Sequence, residues 1–324
     1  MKQPVLVWLL LSLIWGTTWL GIKLGLEGLP PFTFAAFRFV VAVLPLLILL
    51  LVRRKGIDDI RREWRLISGT GMLTITVNYG LIFWAENHIS SGLTAILYSV
   101  FPLFGLSIAH FHLPQERMTW MKTVGVVSGI LGVALVFANE IMAANLKAVF
   151  AGSAVIVAAF GTAYAGVMIK QKGSHIDPLA LTVGQMVVGL VPLLVIGVWS
   201  EGNPFMIHWK VASVLALLYL ALVGSALAFV LIYWLMQHMD VTKTQLIPFG
   251  STFVAVLLGW LVLGETMSAR TLAGGACILV GLVLSVKAHR RKSHVQASIT
   301  SFESEGPKFL EGTEQDTRPK QPGF

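Results

Sequence analysis

Ten apolar runs follow one another along this chain, each close to the ~20 residues that cross a bilayer as a helix. They lie at 5–23, 32–52, 67–86, 91–111, 120–138, 148–169, 179–199, 212–236, 243–263 and 270–286. Hydrocarbon offers no partner to a free backbone N–H or C=O, so such runs can only be helices or strands of a closed barrel. Barrel strands alternate apolar and polar residues, and these runs do not. Of the 324 residues 56% are hydrophobic and 12% charged, with mean hydropathy +0.77. A soluble domain carries roughly 25% charged residues, so a soluble enzyme, a disordered chain and a disulfide scaffold are all excluded. The expected fold class is an all-α integral membrane protein with ten transmembrane helices.

The net charge of +8 would suggest a nucleic-acid partner in a soluble protein. Here the basic residues are sorted by loop, and no nucleic acid is expected. Numbering the loops from an N-terminus inside, the inner segments hold Lys2, Arg53, Arg54, Lys55, Arg61, Arg62, Arg65, Arg117, Lys122, Lys170, Lys172, Lys243, Lys287, Arg290, Arg291 and Lys292. The outer segments hold Lys23, Lys147, Lys210 and Arg270. This bias predicts both termini in the cytoplasm of a multi-pass protein, expected in a bacterial inner membrane. The first run exceeds the roughly 7–15 residues of a signal h-region and no cleavage pattern follows it, so it reads as an uncleaved span. Residues 287–324 are polar and Ser-, Thr-, Glu-, Gly- and Pro-containing. They are expected to form a disordered cytoplasmic tail, whose basic start at His289-Arg290-Arg291-Lys292 anchors topology or touches anionic lipid. The lone Cys277 reads as a small buried apolar residue.

The chain repeats itself at an offset of 145–150 residues. Leu81-Ile82-Phe83-Trp84 with His88 matches Leu231-Ile232-Tyr233-Trp234 with His238. Val40-Val41 with Pro45-Leu46-Leu47 matches Val187-Val188 with Pro192-Leu193-Leu194. Trp15-Gly16-Thr17 with Trp19 and Gly21 matches Phe160-Gly161-Thr162 with Tyr164 and Gly166, and Glu116, Gly125 and Gly132 match Glu265, Gly274 and Gly281. Two units follow, 1–138 and 139–286, of five spans each. An odd number of spans inverts the second unit relative to the first. Two inverted halves around a midplane site are the architecture of a transporter that alternates access.

Three stretches resemble the EamA-type proteins of the drug/metabolite transporter superfamily. They are Leu13-Ile14-Trp15-Gly16-Thr17-Thr18-Trp19, the pattern from Ser91-Gly92-Leu93-Thr94-Ala95 through Pro102-Leu103-Phe104 to Glu116, and the run Leu257 to Glu265. The resemblance covers about residues 4–286. It implies metabolite export, and a cavity lined by the first, third, fourth, sixth, eighth and ninth helices. The chain departs from the pattern at Leu113-Pro114-Gln115-Glu116 and at Thr252, where a proline is common.

Candidate site residues follow from cost. A charge within the bilayer is expensive and marks function by default. Arg38 lies inside the second run and Glu86 ends the third on the same side. An ion pair between them near the outer mouth is one expectation. Arg38 would hold a carboxylate or phosphate, and Glu86 would gate it or exchange a proton; the alternative is a structural pair. Their repeat mates, Gln185 and Met236, are uncharged. Buried hydroxyls and amides need partners and should face the bundle interior. Trp15, Thr18 and Trp19, then Asn78 with Tyr79, then Tyr98, Pro102 and Gly105 are expected to line the first half of a cavity. Phe160 and Tyr164, Ser225 and Tyr233, and Gln245, Pro248 and Thr252 are expected to line the second. The substrate-binding set is therefore Arg38, Glu86, Trp15, Trp19, Asn78, Tyr98, Tyr164, Gln185, Tyr233 and Gln245. Gly125-x-x-x-Gly129 and Gly281-x-x-x-Ser285 predict close helix packing, within the molecule or across a homodimer. Pro45 and Pro192 are hinge or kink positions. Thr119 and Ser268 read as N-caps of the spans they precede, and Glu116 and Glu265, three residues before them, are expected to support those caps through the helix dipole.

No catalytic or metal motif is present: there is no His-Glu-x-x-His, no P-loop and no Gly-x-Ser-x-Gly. His110 and His112 stand two apart on a helix and face different ways. No cofactor and no enzymatic activity are expected. The function expected is a secondary transporter of small metabolites, amino acids and their relatives first. A nucleotide-sugar or phosphate-ester exchanger would need several cavity cations, and a membrane scaffold or sensor is the other alternative. Expected partners are the small-molecule substrate, membrane lipid and, through Glu86, protons, in a monomer or homodimer.

Overall fold

The computed structural model describes residues 2–113, 118–142, 144–207, 209–238 and 247–284. Among them every regular element is helical. The long apolar helices are α1 Lys2–Leu26, α2 Pro31–Arg53, α3 Trp64–Glu86, α4 Ser91–His112, α5 Trp120–Met142, α6 Leu146–Lys172 and α7 Pro178–Glu201. α8 runs through Val211–Leu218, Tyr219–Leu227 and Ala228–His238. These eight are long and apolar enough to cross a membrane. Two shorter apolar helices follow, α9 Ile247–Leu263 and α10 Ala269–Leu284. The expected start of the ninth run at 243 and the expected tail lie outside the described residues.

Helix ends obey local chemistry. Pro31 stands at the first position of α2, where its missing N–H costs nothing. Asp177 caps α7 by accepting from Leu179 N at 3.0 Å and Ala180 N at 3.1 Å. Arg54 (φ 51°) and Gly56 (φ 87°) turn the chain after α2 into a short surface helix, Ile57–Arg62.

Packing crosses between the halves. α2 lies along α7, α1 along α9, α6 along α4, and α6 also along α3. Each of these contacts has a counterpart when α1–α5 are exchanged with α6–α10; the α3–α6 contact, for example, answers to α8–α1. Close approach is set by glycine. A Cβ on Gly132 would lie 2.5 Å from Gly274 O, and one on Gly281 2.3 Å from Gly125 O. The small-residue stripes therefore join α5 to α10 within one molecule.

The supporting roles expected of Glu116 and Glu265 fare differently. Glu116 lies outside the described residues. Thr119 and Ser268 cap as expected, Thr119 Oγ1 accepting from Lys122 N at 3.4 Å and Ser268 Oγ from Thr271 N at 3.1 Å, but Glu265 does not join the α10 cap. The Glu265 carboxylate instead reaches the first turn of α4, accepting from Ser91 N at 2.7 Å, Ser91 Oγ at 2.9 Å and Gly92 N at 3.0 Å. Glu201 does the same for α2, accepting from Phe32 N and Thr33 N at 2.8 Å each. A carboxylate at a helix N-terminus satisfies orphan N–H groups and the helix dipole together. Both carboxylates come from the other half of the chain.

α3 and α8 each widen into a π-helical segment, Met72–Val77 and Tyr219–Leu227. Each segment begins after eight residues of ordinary helix. The repeated Trp–His motif closes both helices alike. His88 Nδ1 lies 2.8 Å from Trp84 O and His238 Nδ1 2.8 Å from Trp234 O, with each imidazole against its own tryptophan.

Candidate functional site

Where α2, α3 and α8 meet, one guanidinium is enclosed. Arg38 is 2% exposed. Its Nε donates to Ser225 Oγ at 3.0 Å and its Nη2 to Gly224 O at 3.4 Å, both in the π segment of α8. The guanidinium carbon stands 4.8 Å from the Tyr79 ring centre, a cation–π contact that is strengthened out of water. Gly224 lets α8 approach α1, since a Cβ there would meet Thr18 Cγ2 at 2.7 Å, while Arg38 Nη2 would stand at ordinary contact distance, 3.6 Å. Nη1 of Arg38 has no partner among the described residues.

Arg38 lines a cavity of about 300 Å³ at the centre of the helices. α1 contributes Trp15, Thr18 and Trp19; α3 contributes Thr74, Asn78 and Tyr79; α4 contributes Tyr98 and its neighbours Ser99 and Phe101. The second half contributes Thr162 from α6, Thr182 and Gln185 from α7, Phe229 from α8, and Pro248, Ser251 and Thr252 from α9. Trp19 packs on Tyr98 at 5.6 Å between ring centres, and Tyr98 stacks on Phe101 at 5.9 Å. Tyr98 Oη donates to Thr162 Oγ1 at 3.4 Å. Gln185 Nε2 donates to Thr70 Oγ1 at 2.9 Å, tying α7 to α3. Asn78 is 3% exposed and its Oδ1 accepts no hydrogen bond among the described residues. Apolar walls with a few convergent polar groups are the form of a small-molecule site, and this volume is at the small end of the usual range.

Six of the ten expected residues thus surround one space: Trp15, Trp19, Arg38, Asn78, Tyr98 and Gln185. Tyr164 is elsewhere, edge-on to His112 at 5.9 Å in a separate apolar cluster. Phe160 is 49% exposed and packs on Phe104. The tyrosine predicted from Trp19 by the repeat therefore has no matching position at the cavity. Gln245 and the Tyr233 side chain lie outside what the structure describes.

Glu86 is not a lining residue. It is fully buried, and neither carboxylate oxygen has a hydrogen-bond partner among the described residues. The expected Arg38–Glu86 ion pair is not formed, because the guanidinium is turned onto α8. Lys23 Nζ lies beside Glu86 but is bound to the last carbonyls of α3 and its turn, Glu86 O at 2.5 Å and Ile89 O at 2.8 Å.

Through the expected Arg38 and Gln185 the cavity also draws on α2 and α7, two helices beyond the six that the resemblance implies. Their mutual packing brings the repeat mates Arg38 and Gln185 to the centre together. Thr74 and Thr182 were missed by sequence reasoning. The signal was present: Thr70–Thr74 and Thr182–Gln185 are polar pairs at helical spacing within apolar runs.

Comparison with known proteins agrees with the fold. A solved crystal structure superposes with a TM-score of 0.64, covering 89% of this chain and 99% of its own at 18% identity, a likeness of fold. An uncharacterized transporter of Bacillus subtilis, YoaV, is 29% identical over 287 residues, 87% of this chain and 96% of its own. The uncharacterized inner membrane transporter YedA of Escherichia coli K12 is 30% identical over 271 residues, 80% of this chain and 82% of its own. A WAT1-related chloroplastic protein of Arabidopsis thaliana is 27% identical over 276 residues, 83% of this chain and 66% of its own. Residues 3–138 and 149–287 both match the EamA-like transporter family. This multi-pass membrane protein belongs to the EamA-like transporter family.

Proposed function

We propose that the protein is a secondary exporter of small carboxylate-bearing metabolites, working by alternating access. The observation that carries this reading is the central cavity, built by helices of both halves around one buried guanidinium. Ten transmembrane helices form two inverted five-helix repeats, with both termini cytoplasmic. The exchange-related packing, the paired π segments and the paired Trp–His ends support that symmetry. The excess of basic residues in the inner loops supports the orientation. Substrate would sit among Trp15, Trp19, Arg38, Asn78, Tyr98 and Gln185, and rocking of the halves would expose it to each side in turn. One lining cation among the described residues favours a single carboxylate over a diphosphate.

A proton gradient would act through Glu86, the acid buried beside the cavity. The charged groups around it are Lys23 on α1, Arg38 on α2 and Glu265 after α9. Counterflow in proteoliposomes tests both parts. Liposomes preloaded with pooled metabolites should accumulate at least one labelled carboxylate metabolite, from a panel of amino acids and related monocarboxylates, above empty controls, and Glu86→Gln should keep counterflow while losing its response to a pH gradient. Accumulation of nothing from folded protein would discard transport in favour of a scaffold or sensor. A gradient response intact in Glu86→Gln would discard Glu86 as the coupling group.

A further inference from the structure

Two buried polar atoms of the cavity are left without partners, and they are of opposite kind. Arg38 Nη1 is a donor without an acceptor; Asn78 Oδ1 is an acceptor without a donor. Both residues are more than nine-tenths buried and both line the cavity. An orphaned buried polar atom is costly, and a ligand that satisfies both removes that cost twice. It must present an anionic acceptor to the guanidinium and an N–H or O–H to the amide oxygen.

The charge of that second group is also constrained. Arg38 is the one charged residue among the described lining residues. An α-ammonium brought here would lose its hydration and meet an amide oxygen and hydroxyls but no lining carboxylate, and desolvating an unpaired charge is far costlier than desolvating a hydroxyl. Glu86 lies behind the lining rather than on it, so a monoanion matches the one charge that faces the cavity, whereas a zwitterion brings an ammonium that no lining carboxylate meets. The remaining walls, Trp19, Tyr98 and Phe101, offer aromatic faces for an apolar body.

We infer that the site selects monoanionic carboxylates that carry a neutral hydrogen-bond donor and an aromatic or apolar body, as 2-hydroxy acids and N-acylated amino acids do, over the zwitterionic amino acid of the same shape. This rests on the transport reading above and narrows its substrate.

Three probes of one shape separate the requirements: 3-phenyllactate has a carboxylate and a hydroxyl, 3-phenylpropionate lacks the donor, and phenylalanine replaces it with an ammonium. In counterflow with labelled 3-phenyllactate, unlabelled 3-phenyllactate should compete about tenfold better than either of the others, a difference of about one hydrogen bond. Asn78→Asp places a carboxylate at the orphan acceptor and should reverse the order, raising competition by phenylalanine above that by 3-phenyllactate. A purely structural Asn78 would lower all three alike. Phenylalanine equal to or better than 3-phenyllactate in the unaltered protein would overturn the inference, whatever the variant does. Movement of labelled amino acids but not of 3-phenyllactate would overturn it while leaving transport standing. Movement of neither, nor of any pooled metabolite, would remove both.

Discussion

Arg38 reaches its acceptors on α8 through directed hydrogen bonds from a planar fork and holds an aromatic face beneath it. Lysine keeps the charge but lacks the fork, and glutamine keeps a polar head without the charge. Arg38→Gln is therefore expected to fold and to lose at least about tenfold in carboxylate counterflow, the loss of one charge-assisted contact. Arg38→Lys should retain part of that activity. Full transport by Arg38→Gln would make the residue structural alone. The sequence announced Arg38 because a charge inside an apolar run has few explanations. It did not announce which way the side chain turns. Glu86 was the nearest acid by span position, yet Ser225 and Gly224, nearly two hundred residues on, take the guanidinium. Such a choice depends on the close approach of α2 and α8, which no local pattern encodes.

Among the elements, α5 and α10 are joined by backbone rather than by side-chain volume. Replacing Gly132 by leucine would drive Cβ into Gly274 O, 2.5 Å away, and force the helices apart. Gly132→Leu is expected to destabilise the protein by about 1–3 kcal/mol, the usual cost of overpacking, seen as a lower melting temperature in detergent. Gly105→Ala, with nothing within 4 Å of the added carbon and alanine the better helix former, should melt no lower than the unaltered protein. An unchanged melt for Gly132→Leu would mean that the two helices are not packed in this way. Helix positions were legible because apolar length and turn residues are local signals. The small-residue spacing in α5 was legible too, but its partner was not. The π segments went unseen, since a widened turn leaves no compositional mark. The missed Thr74 and Thr182 show the limit of reading faces one run at a time: each hydroxyl bonds a carbonyl of its own helix and also lines the cavity, and their polar spacing within a run does not say which space that face meets.

At the scale of the whole molecule, the orientation makes a simple prediction. Single cysteines placed in 53–66 and in 287–324, in a Cys277→Ser background, should react only with membrane-permeant reagents in intact cells. Labelling of either segment from outside would overturn the inward termini. The repeat was legible because its Trp, His, Pro, Gly and Glu pairs keep one order in both halves. The cross-half staples were not, because a glutamate that caps a distant helix is spelled like one that caps its own neighbour. Those staples set a timetable. The N-terminus of α2 receives its carboxylate from Glu201, 169 residues later, and that of α4 from Glu265, 174 residues later. At ~5–20 residues per second of synthesis, each helix waits about ten to thirty seconds with its first N–H groups met by water alone. The first half is therefore unfinished when it enters the bilayer, and the second half completes it on arrival.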